Sequence, residues 1–197
     1  ASGSGNTAVG YQSLLDNIGG SGNTAVGYQS LLRNTAGGNS AFGWQSLYLN
    51  TGSDNTAVGL LALSNNSTAS FNTAIGTRAL ALNMSGEKNT ATGNESLYFN
   101  TNGTNNTASG YRSLYTNTGG DNNVASGYEA LFLNTNGNDN TAYGFQSMYS
   151  NTVGEANSAN GYQALYSNTT GANNTAIGYQ ALYFNTTGLH NTAIGLW

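Results

Sequence analysis

The side chains that could do reactive chemistry are few and scattered. His190 is the only histidine and cysteine is absent, so one chain cannot assemble a conventional zinc site or a cysteine nucleophile. Asp54, Glu87, Asp121, Asp139 and Glu155 fall in one recurring loop, one or two residues before a repeated Asn. A calcium array would need several oxygens per ion and an acid in every repeat. Most repeats lack one, so these acids read as solvated turn residues. His190, in the stretch TTGLHN, reads as an exposed turn residue too. Serine is plentiful, but no Ser–His–acid set recurs. The pattern predicts no enzyme, no metal and no cofactor. What recurs at fixed spacing is Asn, Thr, Gly, Leu and Tyr, whose chemistry is hydrogen bonding and stacking.

The spacing defines the elements that carry these residues. GNTAVGYQSLL occupies residues 5–15 and again 22–32; NTAIGYQALY follows at 174–183 and NTAIGLW at 191–197. A Gly marks each repeat: Gly10, Gly27, Gly43, Gly59, Gly76, Gly93, Gly110, Gly127, Gly144, Gly161, Gly178 and Gly195. The gaps are 17, then two of 16, then 17 throughout. A short, near-constant period is the signature of a solenoid in which each repeat is one coil. We therefore expect an all-β parallel β-solenoid of about twelve 17-residue coils, forming one repeat domain over residues 1–197. A helical hairpin repeat needs roughly 33–45 residues. Each coil here leaves room for two short strands, with at most a single helical turn around YQAL.

Composition narrows the function classes. Only 6 % of residues are charged and the formal net charge is −4 with four Lys+Arg, which argues against a nucleic-acid partner because phosphate binding needs clustered cations. No apolar run reaches the ~20 residues of a membrane span. Low charge and abundant Gly suit disordered segments, but fixed spacing of Leu and Tyr is what a stacked core requires. Absence of Cys fits an extracellular or cell-surface location. Asn-x-Ser/Thr sequons at Asn65, Asn83, Asn102, Asn168 and Asn185 arise readily in so Asn-rich a chain.

Each repeated type has a physical reason. Stacked coils bring equivalent residues about 4.8 Å apart, close enough for Asn amides to bond from coil to coil. One Asn column lies four residues before the mark and includes Asn6, Asn23, Asn55, Asn72, Asn106, Asn140 and Asn174. A second lies seven after it and includes Asn17, Asn34, Asn100, Asn134 and Asn168. Two ladders, one at each end of the TAxGYxxLxxN stretch, are expected to hold the corners. Ala two before the mark and Leu four after it suit a narrow interior. The Gly mark and a second Gly near ten downstream (Gly37, Gly86, Gly103, Gly120, Gly137, Gly154, Gly171, Gly188) suit turns with positive φ.

The unit NTAVG (6–10), NTAIG (72–76, 174–178, 191–195) and NSAFG (39–43), followed by a short second segment, resembles the head repeats of trimeric autotransporter adhesins. Similar repeats occur in phage tail and other surface fibres. The resemblance implies a left-handed β-roll and a parallel homotrimer, acting as an extracellular fibre or adhesin head with a host-surface or glycan ligand. The second half, YQSLLRNTAGG or YQALYSNTTG, is longer and more aromatic than in that family.

Two faces are left to do something. In N-T-A-x-G alternate side chains point to opposite faces, so Asn and Ala face inward while Thr and x face outward. Thr7, Val9, Thr24, Val26, Thr107, Ser109, Thr141, Tyr143, Thr175 and Ile177 belong to this outer face. Three readings stand: β-branched strand filler, a subunit interface around a three-fold axis, or a water-organising, ice-binding surface. Tyr11, Tyr28, Trp44, Tyr111, Tyr128, Tyr162 and Tyr179 follow the marks as an aromatic column, read either as a stack between coils or as a carbohydrate- or partner-binding stripe. Leu60, Thr77 and Asn94 interrupt it, and Tyr48, Tyr98, Tyr115, Tyr149, Tyr166 and Tyr183, five after their marks, belong to the same aromatic surface. The chain starts and stops inside the pattern. A module with uncapped coils is expected to continue in flanking sequence, join end to end as a filament, or be closed by other domains.

Overall fold

A computed structural model of the chain describes residues 3–196; Trp197, the last residue of NTAIGLW, lies outside them. Three-residue strands repeat once per coil: Thr7–Val9, Thr24–Val26, Ser40–Phe42, Thr56–Val58, Thr73–Ile75, Thr90–Thr92, Thr107–Ser109, Val124–Ser126, Thr141–Tyr143, Ser158–Asn160, Thr175–Ile177 and Thr192–Ile194. They form one parallel twelve-stranded sheet in chain order. Ala pairs with Ala at every step, as Ala108 does with Ala91 and Ala125. The fold is a parallel β-solenoid, all-β, with no helix among the described residues.

The expected second strand is present in only three coils. Arg33–Asn34, Leu49–Asn50 and Asn65–Asn66 pair as a separate three-stranded parallel sheet. Elsewhere the segment after the Gly mark is a run of turns. YQAL is no helical turn either. The residues two and four after the mark, such as Gln163 and Leu165, are left-handed, with φ of 52° and 51°. Left-handed φ is uncommon outside Gly and strained for β-branched residues. That accounts for Leu or Met, never Val or Ile, at the fourth position from Leu14 to Leu182.

The interior is thin and built from columns. Ala of each strand, the Leu/Met column and the Ala or Ser before it are buried from the second coil until the last, where Leu182 and Ala193 are only half-buried. A Leu column alone would bury little, and each coil contributes roughly 2 kcal/mol through its one fully buried Leu. The two Asn columns complete the interior, so two of its five columns depend on satisfied amides.

The Gly columns have two different causes. Gly marks hold φ near +130°, as at Gly110 (φ 129°), a region open to Gly alone. The second column does not take positive φ, contrary to the sequence expectation. Room decides there: a Cβ on Gly154 would stand 2.5 Å from the Gly171 oxygen and would also strike the Asn151 and Asn168 side chains.

Candidate functional site

The residues that recur most strictly assemble into columns along the rod. In the column seven after the mark, each amide Nδ2 donates to the Oδ1 of the preceding coil's Asn. Ten such bonds run from Asn34→Asn17 to Asn185→Asn168 at 2.7–2.9 Å. The other Nδ2 hydrogen goes to a carbonyl two or three residues on, as Asn117 does to Gly120 at 2.9 Å. This column is an amide ladder of the kind expected.

The column four before the mark works differently. Its Oδ1 accepts the next Asn's backbone N–H, as Asn89 Oδ1 does from Asn106 at 2.9 Å. Its Nδ2 reaches a loop carbonyl 13 or 14 residues on, such as Gly120 for Asn106 at 2.8 Å. Asn106 and Asn117 therefore donate to the same Gly120 oxygen. The same convergence recurs at Gly20, Ala36, Gly137 and Gly171. The two Asn columns thus stand side by side around one carbonyl, rather than at opposite corners. The chain path closes back on itself there, which the linear spacing did not reveal. No buried side-chain N or O is left unpaired among the described residues, so this costly interior is fully compensated.

Two further columns escaped the sequence reading, and a third was legible only in part. Thr eight after the mark donates its hydroxyl to the carbonyl of its counterpart in the next coil, at 2.8–3.1 Å from Thr101 to Thr186. The residue two after the mark forms a side-chain ladder: Gln45–Gln29–Gln12 at one end and Gln180–Gln163–Gln146–Glu129 at the other. Between them Glu95 is held by Arg112 at 2.7 Å and by Arg78 at 3.5 Å. The third runs five after the mark as Tyr98, Tyr115, Phe132, Tyr149, Tyr166 and Tyr183, with centroids 5.0–5.5 Å apart. The sequence reading noticed its tyrosines but passed over Phe132. A search for identical spacing of ring-bearing residues of any type would have found it.

The predicted aromatic column is present in two pieces. Tyr11, Tyr28 and Trp44 stack at 5.4 and 5.9 Å, and Tyr111, Tyr128, Phe145, Tyr162 and Tyr179 at 5.0–5.2 Å. Ring planes lie within 22° of parallel in both aromatic columns. Each ring inside a stack therefore has both faces covered by its neighbours, and there the column offers edges and phenol hydroxyls to solvent. Sugar rings that pack on aromatic faces have no face to meet inside a continuous stack. The Arg112 guanidinium lies 5.0 Å from the Tyr111 ring and 5.1 Å from the Tyr115 ring, so the polar ladder runs between the two stacks. The hydrogen bond to Glu95 pushes the Arg112 pKa up. Burial chiefly raises the pKa of the Tyr115, Tyr149 and Tyr166 phenols.

The Thr/x face is open along the rod. Val9, Val58, Ile75, Tyr143 and Ile177 are exposed, and Thr7, Thr107 and Ser109 are exposed beside them. Thr24, Val26, Thr141 and Thr175 of the same face are half-buried. Two acids of the variable loop serve as acceptors in short inter-coil bonds, Asp121 for Thr104 at 2.7 Å and Glu155 for Asn138 at 3.0 Å. No cluster of three His, Cys, Asp or Glu able to hold a metal occurs among the described residues. His190 is exposed in its turn. Asn83 and Asn168, two of the sequon positions, are buried in the amide ladder, whereas Asn65 and Asn102 are exposed.

Shallow depressions lie near both ends of the rod, about 490 Å³ beside Leu15 and Arg33 and about 370 Å³ beside Leu182 and Phe184, and two more adjoin the stretch between Gly43 and Gly93, where both aromatic columns break. A depression of about 340 Å³ there is lined by Tyr48, Leu61, Ser64, Arg78, Ala81 and Tyr98, among others. An apolar one of about 610 Å³ adjoins it across Asn65 and Leu82. No protein-family model, curated protein or solved structure matches this chain.

Proposed function

We propose that the chain is a stiff, non-enzymatic segment of an extracellular or cell-surface fibre that presents its Thr/x face to partners, in the first place to parallel copies of itself. The observation that carries this reading is the continuity of the ladders: coil after coil is tied to the next by the same amide bonds, with no buried polar side-chain atom unpaired among the described residues. Twelve stacked strands at about 4.8 Å per step make a rod roughly 50 Å long. Such a rod resists bending because bending lengthens many bonds at once. Apolar side chains exposed at x supply the area for side-by-side contact.

Light scattering on the isolated chain tests the association. A mass three times the 20.3 kDa of one chain is expected for the homotrimer. A monomer would remove self-association across this face, and a ladder of longer species would place assembly at the coil ends. A second reading rests on the coils from Thr90 to Ser126, where the outer face carries Thr90, Thr92, Thr107, Ser109 and Ser126 in two hydroxyl columns. This arrangement favours an ordered-water, ice-binding role. Thermal hysteresis that falls on replacing Thr107 and Thr141 supports it; wild-type solutions that freeze like buffer dismiss it.

A further inference from the structure

The interruption of the aromatic stack has a specific shape. Five after the mark, Tyr48 is followed by Ser64 and Ala81 before rings resume at Tyr98. Tyr48 and Tyr98 line the same 340 Å³ depression, with Ser64 and Ala81 between them and Leu61 and Leu82 alongside. Three coil steps of about 4.8 Å separate the two ring positions, roughly 14 Å, and the continuous stack places rings 5.0–5.5 Å apart. Two rings are therefore missing. Tyr98 stacks on Tyr115 on its far side and meets Phe99 edge-on at 4.7 Å, so no ring stacks on its near face, unlike the rings within the column.

Charge is disposed at the same place. Arg78 lines the depression with its side chain about half exposed at 48 %. Its one acidic contact among the described residues is Glu95 at 3.5 Å, and Glu95 is held more closely by Arg112 at 2.7 Å. No other Lys or Arg borders this depression. The vacancy thus combines an apolar floor, at least one unstacked aromatic face and one incompletely paired guanidinium, the makings of a small-ligand pocket.

We infer that this slot binds flat aromatic carboxylates, with the ring entering the interrupted stack against Tyr98 and the carboxylate pairing with Arg78. The guanidinium supplies bidentate donors suited to a carboxylate, and the ring takes the position that Tyr115 or Phe132 fills elsewhere. This site is independent of the fibre reading.

Isothermal titration of the whole chain with 2-naphthoate, and with the neutral 2-naphthylmethanol, tests it. A Kd of about 0.1–1 mM is expected for 2-naphthoate, given its small size. Arg78→Gln is expected to weaken 2-naphthoate about tenfold and to leave 2-naphthylmethanol unchanged. Ala81→Tyr, which places the protein's own ring in the slot on a turn like that of Tyr98, is expected to abolish both and to raise the melting temperature. The rise in melting temperature certifies that the loss is not unfolding. No heat of binding at 5 mM 2-naphthoate, or unchanged affinity in Ala81→Tyr, overturns the site. Equal weakening of both compounds by Arg78→Gln overturns the carboxylate assignment.

Discussion

The coils between Gly27 and Gly76 and those after Gly93 repeat the same letters but close their loops differently. In the later coils five residues separate the two Asn columns, and the second Asn folds its backbone N–H onto the Leu three before it, as Asn117 does onto Leu114 at 3.2 Å. In the two 16-residue coils four residues separate them. Here the Asn amide reaches a carbonyl two rather than three residues on, as Asn34 does to Ala36 at 2.6 Å and Asn50 to Gly52 at 2.7 Å. The freed backbone extends and pairs as the small second sheet. Through all of this the amide ladder is unbroken: Asn34→Asn17, Asn50→Asn34, Asn66→Asn50 and Asn83→Asn66 stay at 2.7–2.9 Å. The rod is registered by its Asn columns, and loop length and aromatic stacking are adjustable around them.

That contrast can be broken most forcefully at the Gly marks, which both regions share. Gly110→Ala and Gly43→Ala each set a Cβ 2.5 Å from the next Gly oxygen at φ near +130°, and each is expected to cost about 3 kcal/mol or more. Urea unfolding that shows Gly43→Ala tolerated and Gly110→Ala not would mean the two regions do not share one skeleton. Asn117→Ala and Asn50→Ala come next. Each strips a donor and an acceptor from the ladder and leaves neighbouring amides unpaired, for an expected loss of about 2–4 kcal/mol. Equal losses in the two regions are the expectation, and hydrogen exchange localised to flanking coils would show it. A much smaller loss for Asn50 would mean the second sheet carries the early coils.

The aromatic columns should separate the regions instead. Phe132→Ala removes a ring stacked at 5.1 Å on both sides and is expected to cost about 2 kcal/mol. Tyr48→Ala, at the edge of the vacancy, should cost under about 1 kcal/mol. The smallest effect is a pH dependence confined to the later coils. Tyr115, Tyr149 and Tyr166 have raised pKa values in the folded rod, chiefly through burial. Their contribution is complete below the ordinary phenol pKa of 10.0 and is lost as pH rises through the raised values. Melting temperature should fall above about pH 10, and by less in a Tyr149→Phe, Tyr166→Phe variant. An identical fall in that variant would assign the alkaline loss to other groups.

Periodicity made the coil, the parallel stack, the buried Ala and Leu columns and the existence of two Asn columns legible, because identical spacing in a solenoid translates directly into identical position. What spacing could not convey was how the coil closes in cross-section. The two Asn columns are eleven residues apart in Asn106–Asn117, and only the folded path brings both amides onto the Gly120 oxygen. The same closure explains why the second Gly column is Gly: the obstacle is the next coil's carbonyl and two amides, which no local φ preference encodes. The left-handed Gln and Leu positions were hidden for a related reason. Gln and Leu do not announce positive φ as Gly does, and the conformation is imposed by inter-coil hydrogen bonds that outweigh its local cost. Phe132 and the Gln–Glu–Arg ladder acquire their roles only from neighbours 17 residues away. The sequence by itself determined the repeat and what is stacked. The tertiary structure alone decided which columns stand next to each other, because contact across a coil depends on its closure and not on its period.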